Sequence, residues 1–264
     1  MRFARVNGVT IHFGDTGERG LPVLVFANSL GTDFRIWDGV VEALAGRFRM
    51  IRYDKRGHGL SEATPAPYRM EDHAGDLIAL LAHLGIERTH VCGLSVGGMI
   101  AQAVAAARPA LVERLVLIGT AARIGDTAGW NQRIAAVEAD GIAALADGVM
   151  EKWFTGDFRT AGNPVFAGMK AMLTRSPVEG YVGTCAALRD ADLTASTAAL
   201  DLPVLALAGA DDGSTPPSLV QAMARSISGA RFEAIPGAGH IPCVEQPEAT
   251  ARLIDDFLSQ PGGV

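Results

Sequence analysis

The sequence predicts an α/β fold, a mainly parallel sheet with helices on both faces. Two features of pattern and one of size carry that expectation. Short apolar runs recur along the chain, and stretches of helical periodicity separate most of them, which is the alternation of parallel sheets covered on both sides. At 264 residues, 48% of them hydrophobic, the chain can bury one large core, with room for an inserted subdomain but not for a second independent domain.

The first two runs, 2–6 and 10–13, flank Asn7-Gly8 and read as an opening hairpin. Strands follow at 23–27, 50–53, 89–92, 115–118, 204–208 and 231–235, which makes eight in all. Between about 121 and 200 the alternation lapses. Helical patterns at 130–139, 142–153, 164–173 and 177–189 are punctuated by Gly and Pro, with no convincing strand among them. The chain therefore divides into a sheet core, 1–120 plus 200–264, and an inserted helical cap, 121–199.

The most informative motif is Gly93-Leu94-Ser95-Val96-Gly97, placed where the 89–92 strand gives way to a helix beginning near Gly98. A turn that sharp strains the backbone of its central residue, and flanking glycines remove the Cβ atoms that would collide. The Ser95 hydroxyl is pushed out above the strand end, where a base can reach it. A Gly/Ser turn ahead of a helix can also be simple capping; the strand before and the helix after favour a nucleophile.

A serine nucleophile on such a sheet draws its acid and its histidine from later strand ends, in the order Ser, Asp, His. The 204–208 strand is followed by Gly209-Ala210-Asp211-Asp212-Gly213-Ser214-Thr215-Pro216, and the last strand by Gly237-Ala238-Gly239-His240. His12, His73, His83 and His90 lie within or beside regular elements, where a structural or solvent-facing role fits better. His240 sits on a Gly-rich loop beyond a strand end and is the candidate base. Asp211 and Asp212 compete for the acid position. A developing oxyanion needs two preorganised N–H donors. Val96 follows the nucleophile, and Asn28-Ser29-Leu30-Gly31 directly follows the 23–27 strand, so the Leu30 N–H is the second candidate, against the plainer reading of an Asn/Ser/Gly turn.

Other classes of function fit poorly. With 23 basic and 29 acidic residues the net charge is −6, and no basic run supplies a nucleic-acid footprint. Arg56-Gly57-His58-Gly59-Leu60-Ser61 has neither the third glycine nor the Lys-Ser/Thr pair of a phosphate loop. No segment approaches the roughly 20 apolar residues of a membrane helix, and Met1 to Gly8 lacks a secretory apolar stretch, so a cytoplasmic setting is expected. Cys92, Cys185 and Cys243 are too few and too scattered for a disulfide framework, and His240 with Cys243 does not make a tetrahedral metal site. Neither a cofactor nor a metal is expected.

With the oxyanion loop, the Asp54-Lys55-Arg56-Gly57-His58-Gly59-Leu60-Ser61 turn, the serine turn and the acid and histidine loops in family order, the chain resembles the α/β-hydrolase superfamily over essentially its whole length. That resemblance implies the acid stands three residues before a Thr-Pro, favouring Asp212 over Asp211. More narrowly, the chain looks like the 3-oxoadipate enol-lactonases. The residues that carry this are Asn28-Ser29-Leu30-Gly31-Thr32-Asp33, Thr120-Ala121-Ala122-Arg123-Ile124-Gly125, Trp130-Asn131-Gln132-Arg133-Ile134, Trp153-Phe154-Thr155 and the stretch from Glu179 to Asp190. It departs from that family at Val96, where Met is common, and at Ile241-Pro242-Cys243, where Leu-Ser-Asn is usual. The resemblance implies a small carboxylate-bearing lactone as substrate. A carboxylate approaching a chain of net charge −6 needs a local cation, which Arg133 beside Trp130 offers in the cap, with Trp153 as an apolar wall; the plainer reading is a solvated helix charge at Arg133 and cap packing at the tryptophans. Another serine hydrolase of this fold, such as a carboxylesterase, a carbon–carbon bond hydrolase or a cofactor-free perhydrolase, would share the triad, so the cap alone argues against it. A dehalogenase or epoxide hydrolase would carry Asp at position 95. A ligand receptor on a catalytically inert hydrolase fold is the alternative from a different class.

Overall fold

The computed structural model describes residues 1–260, and positions 261–264 of the predicted core lie outside the described residues. β1 (Arg2–Val6) and β2 (Val9–Asp15) form the expected antiparallel hairpin, with Val6 opposite Val9. Its link holds Asn7 at φ 48° and Gly8 at φ 77°, left-handed conformations that these two residue types accept most readily. There follow β3 (Val23–Ala27), α1 (Asp38–Ala43), β4 (Arg49–Tyr53), α2 (Met70–His83), β5 (Thr89–Leu94), α3 (Val96–Ala107) and β6 (Val112–Ile118). Five helices then run without a strand between them: α4 (Thr127–Asp140), α5 (Ala146–Trp153), α6 (Pro164–Thr174), α7 (Val178–Asp190) and α8 (Thr194–Ala198). The chain returns through β7 (Val204–Gly209), α9 (Pro217–Ser226), β8 (Arg231–Ile235), α10 (Pro242–Glu245) and α11 (Pro247–Leu258).

The eight strands form one sheet in the order β1-β2-β4-β3-β5-β6-β7-β8. β2 pairs antiparallel with β1 and β4, and every other pairing is parallel. All residues of β5 and β7 are buried. Since successive strand residues face opposite sides, both faces of the sheet must be covered, as the apolar runs predict. Parallel pairing brings the carboxyl ends of β3, β5, β6, β7 and β8 to one edge. The strand order reverses between β3 and β5, and the crevice outside such a reversal is where α/β sheets bind ligands. Ser95 and the loop after Ala27 both lie there.

The helices between β6 and β7 differ from their sequence pattern in three places. α4 starts at Thr127 rather than 130, because the Asp126 side chain accepts from the Gly129 N–H at 2.8 Å and caps the helix early. The pattern read as one helix over 142–153 opens as a 3-10 turn, Ile142–Leu145, after Gly141 at φ 77°, and becomes α-helical at Ala146. α8 is an extra short helix that no apolar period announces. Among the described residues no helix is long and apolar enough to cross a membrane.

Candidate active site

β5 runs directly into α3 through Ser95, which is held at φ 58°, ψ −122°. For a residue with a Cβ that conformation costs about 1–3 kcal/mol and persists only where the surroundings over-determine it. Here they do. The Ser95 N–H donates to Ile118 O at 2.9 Å, and its carbonyl accepts from Gly98 N at 2.9 Å and from Thr120 Oγ1 at 2.7 Å. The glycines are required by close approach: a Cβ on Gly93 would run into the Gly97 backbone, one on Gly97 into the Ala27 carbonyl, and one on Gly98 into the Thr120 side chain.

His240 and Asp212 meet below the serine turn. His240 Nδ1 lies 2.9 Å from Asp212 Oδ2, and both residues are buried. Asp212 Oδ1 accepts from the N–H groups of Ser214 at 2.7 Å and Thr215 at 2.9 Å, while Thr215 Oγ1 sits 2.8 Å from Oδ2. Burial pushes the Asp212 carboxyl pKa up, but the facing His240 and the donors from Thr215 and Ser214 outweigh it and hold the carboxyl below its ordinary value. An ionised Asp212 assigns the proton to His240 Nδ1 and leaves Nε2 as the basic nitrogen. Gly119, at φ 49°, leaves room for the pair, since a Cβ there would stand 3.1 Å from Asp212 Oδ2 and 3.3 Å from His240 Nδ1. Asp211 is exposed, and its backbone N–H donates to Ala238 O at 3.0 Å.

Helix α5 is tied to both loops. The His240 N–H donates to Trp153 O at 2.8 Å and the Gly213 N–H to Lys152 O at 3.2 Å. Glu245 completes this clasp, accepting on Oε1 from Thr155 N at 3.0 Å and Thr155 Oγ1 at 2.8 Å, and on Oε2 from Gly239 N at 2.5 Å. No sequence pattern marks Glu245. Replacing it with Ala leaves these donors without an anionic acceptor, at about 2–3 kcal/mol. For a chain of this size that is a fall of roughly 5–10 °C in Tm. Calorimetry beside the wild type checks this, and an unchanged Tm removes the clasp.

A cavity of about 590 Å³ opens over this arrangement, of ordinary size for a small-molecule site. Ser95, His240 and Leu30 line it together with Trp130, Arg133 and Trp153; Asp212 reaches it only through His240, and Val96 is fully buried beside the serine turn. Among the described residues neither the Leu30 nor the Val96 N–H has a hydrogen-bond acceptor. Arg133 is half-buried, 3.3 Å from the Tyr181 hydroxyl and stacked over the Trp130 ring at 5.6 Å, and the Trp130 Nε1–H is fixed on Ile124 O at 2.6 Å. Lys152 also lines the cavity. Arg123 and Arg189 do not, and are engaged by Asp192 at 3.6 Å and Asp190 at 2.7 Å respectively. Among the described residues no group of three or more His, Cys, Asp or Glu side chains could hold a metal ion. A serine hydroxyl, a histidine oriented by a carboxylate, and unpaired backbone N–H groups in one cavity suit acyl transfer to water through a covalent intermediate.

A family profile described as the alpha/beta hydrolase fold matches residues 22–247. The chain is 33% identical to 3-oxoadipate enol-lactonase 2 of Acinetobacter baylyi, over 96% of its own length and 94% of that protein. It is 31% identical to the pimeloyl-[acyl-carrier protein] methyl ester esterase of Methylococcus capsulatus, over 94% of its length and 98% of that protein. Among solved structures, the enol-lactonase from Burkholderia xenovorans LB400 superposes with a TM-score of 0.95 at 38% identity, covering 98% of this chain and 100% of that one.

Proposed function

The chain belongs to the alpha/beta hydrolase fold family, and from that premise we propose that it is a serine hydrolase that opens the lactone ring of 3-oxoadipate enol-lactone. In this reading Ser95 attacks the ring carbonyl while His240 Nε2 takes its proton, and Asp212 holds the imidazolium that forms. The N–H groups of Leu30 and Val96 receive the tetrahedral oxyanion. Collapse breaks the ring C–O bond as the His240 imidazolium returns its proton to the departing oxygen, and the enol so formed stays attached to the acyl chain. Water, deprotonated by His240, then attacks the acyl-enzyme and releases the acid, and the enol tautomerises to the ketone. No step calls for a cofactor or a metal. Residues 121–199 serve as the cap that supplies the substrate-binding wall.

The observation that carries the substrate assignment is the cation inside the cavity. A carboxylate approaching a chain of net charge −6 needs a local positive charge, and Arg133 offers one that Trp130 and Tyr181 orient without neutralising. Resemblance to enol-lactonases in sequence and in structure supports the same reading. The test is to follow loss of the enol-lactone's ultraviolet absorbance beside a panel of simple esters. A simple ester with comparable kcat/KM contradicts the lactonase reading and leaves a general carboxylesterase.

Arg133→Ala separates a binding contact from damage to the cap. Loss of a charge-assisted hydrogen bond of about 1.5–3 kcal/mol lowers kcat/KM for the lactone by about 10- to 150-fold. The loss appears mainly in KM if the contact is as strong in the ground state as in the transition state. A neutral activated ester, lacking the carboxylate, is expected to change by only about twofold. Equal losses on both substrates assign Arg133 to packing. No loss on either moves the carboxylate contact to Lys152.

A further inference from the structure

Lys55 follows β4 and is buried, with 1% of its surface exposed. Among the described residues it forms no ion pair with a carboxylate. Asp54 beside it is occupied by His12 Nδ1 at 2.8 Å and by the N–H groups of Phe34 and Leu60, each at 2.9 Å; Asp33, on the loop after β3, is occupied by Arg35. The remaining titratable groups that act on it or feel its charge are His58 on the same turn and His73 on α2, both buried neutral imidazoles with pKa values pushed well down by burial. The ammonium instead donates to Ser29 O at 2.5 Å. That carbonyl belongs to the same peptide group as the Leu30 N–H.

We propose that Lys55 is a positioning residue for the oxyanion donor: by gripping the carbonyl end of the Ser29–Leu30 peptide, it aims the N–H end into the cavity and polarises it. This rests on Leu30 being that donor. The C=O and N–H of a trans peptide point in opposite directions across a rigid plane. A donor fixed on Ser29 O therefore sets the direction of the Leu30 N–H, and a positive charge there strengthens it through the amide. Thr32 adds its hydroxyl to the same oxygen at 2.9 Å. The next N–H along the chain is held the other way. Gly31 N donates to His58 Nε2 at 3.0 Å, and His58 Nδ1 lies 3.2 Å from Arg56 O, which assigns His58 the Nδ1–H tautomer. One turn thus fixes the peptide groups on both sides of Leu30.

Burial lowers the Lys55 pKa to about 7, against the pull of Asp54 and Asp33. The amine is charged below that value and neutral above it, so its contribution to kcat is full on the acid side and declines as pH rises through about 7.

Lys55→Met keeps the length and apolar stem and removes the charge, and replacing a buried charge by an apolar residue of similar volume is often neutral for folding. With p-nitrophenyl acetate as substrate on the acid side of pH 7, where the amine is charged, kcat is expected to fall about tenfold, less than the full loss of an oxyanion donor because the N–H itself remains. KM is expected to stay within about twofold, the decline in kcat as pH rises through about 7 to disappear while the rise that depends on the His240 base is kept, and affinity for a boronic acid that mimics the tetrahedral adduct to fall in parallel with kcat. An unchanged kcat overturns the proposal, as does a loss that raises KM in proportion and leaves that decline in place. If Lys55→Met does not fold, Lys55→Leu, which likewise removes both the donor and the charge, is held to the same outcomes. Ser95→Ala measured alongside separates the two levels: retained turnover there removes the nucleophile, whereas an inactive Ser95→Ala beside a silent Lys55→Met removes only the role given to Lys55.

Discussion

Ser95→Ala is expected to lower kcat by about 10⁴- to 10⁶-fold on any ester or lactone the protein hydrolyses, with KM little changed. Without the hydroxyl no acyl-enzyme forms, and only the oxyanion donors and the binding of substrate assist direct attack by water. Adding His240→Ala to Ser95→Ala is expected to cost little more, because a base without its nucleophile has nothing to activate. The measurement is single-turnover kinetics on Ser95→Ala, His240→Ala and the double variant, with an active-site titrant confirming that the wild type carries one reactive serine. Additive losses would mean that Ser95 and His240 do not act as one unit. Turnover by Ser95→Ala within tenfold of the wild type would refute the nucleophile outright.

What could be read in the sequence follows from which contacts are local. The α/β class and the inner strands were legible because their burial is written in their own residues, as in the apolar runs at 204–208 and 115–118. The turn at Ser95 was legible because its strain is relieved by immediate neighbours, Gly93 and Gly97. Parallel strands end at one edge, so residues just past the ends of β3, β5, β7 and β8 could be grouped as candidates with no knowledge of the contacts between them. Lys55 on the Ser29 carbonyl and Glu245 between Gly239 and Thr155 were not legible. Each joins distant segments, and each depends on a side chain turning towards a backbone group that carries no residue identity. The Ile142–Leu145 turn was missed for a related reason: its apolar positions fit an α period, while Gly141 at φ 77° interrupts the hydrogen-bond ladder.

The neighbouring acids Asp211 and Asp212 allow a sharp test, because they have the same chemistry and opposite surroundings. Asp212→Asn is expected to lower kcat by about 10⁴-fold. The carboxylate accepts from Ser214 N and Thr215 N on Oδ1 and from the His240 Nδ1–H on Oδ2, so both oxygens are held by donors. An amide in its place either presents an NH₂ to Nδ1 or keeps its oxygen there without the charge. The first choice moves the ring proton to Nε2, the nitrogen that must accept from Ser95, and the second withdraws support from the imidazolium in the transition state. Asp211→Asn is expected to stay within about twofold of the wild type, since that side chain is exposed and its link to the histidine loop is the backbone bond to Ala238 O. The kcat–pH profile adds a second readout. In Asp212→Asn the remaining activity is expected to need a higher pH, where hydroxide replaces the missing general base, while the Asp211→Asn profile should overlay the wild type. The reverse pattern would assign the acid to Asp211 and require the 210–213 turn to rotate its neighbour out of the buried position.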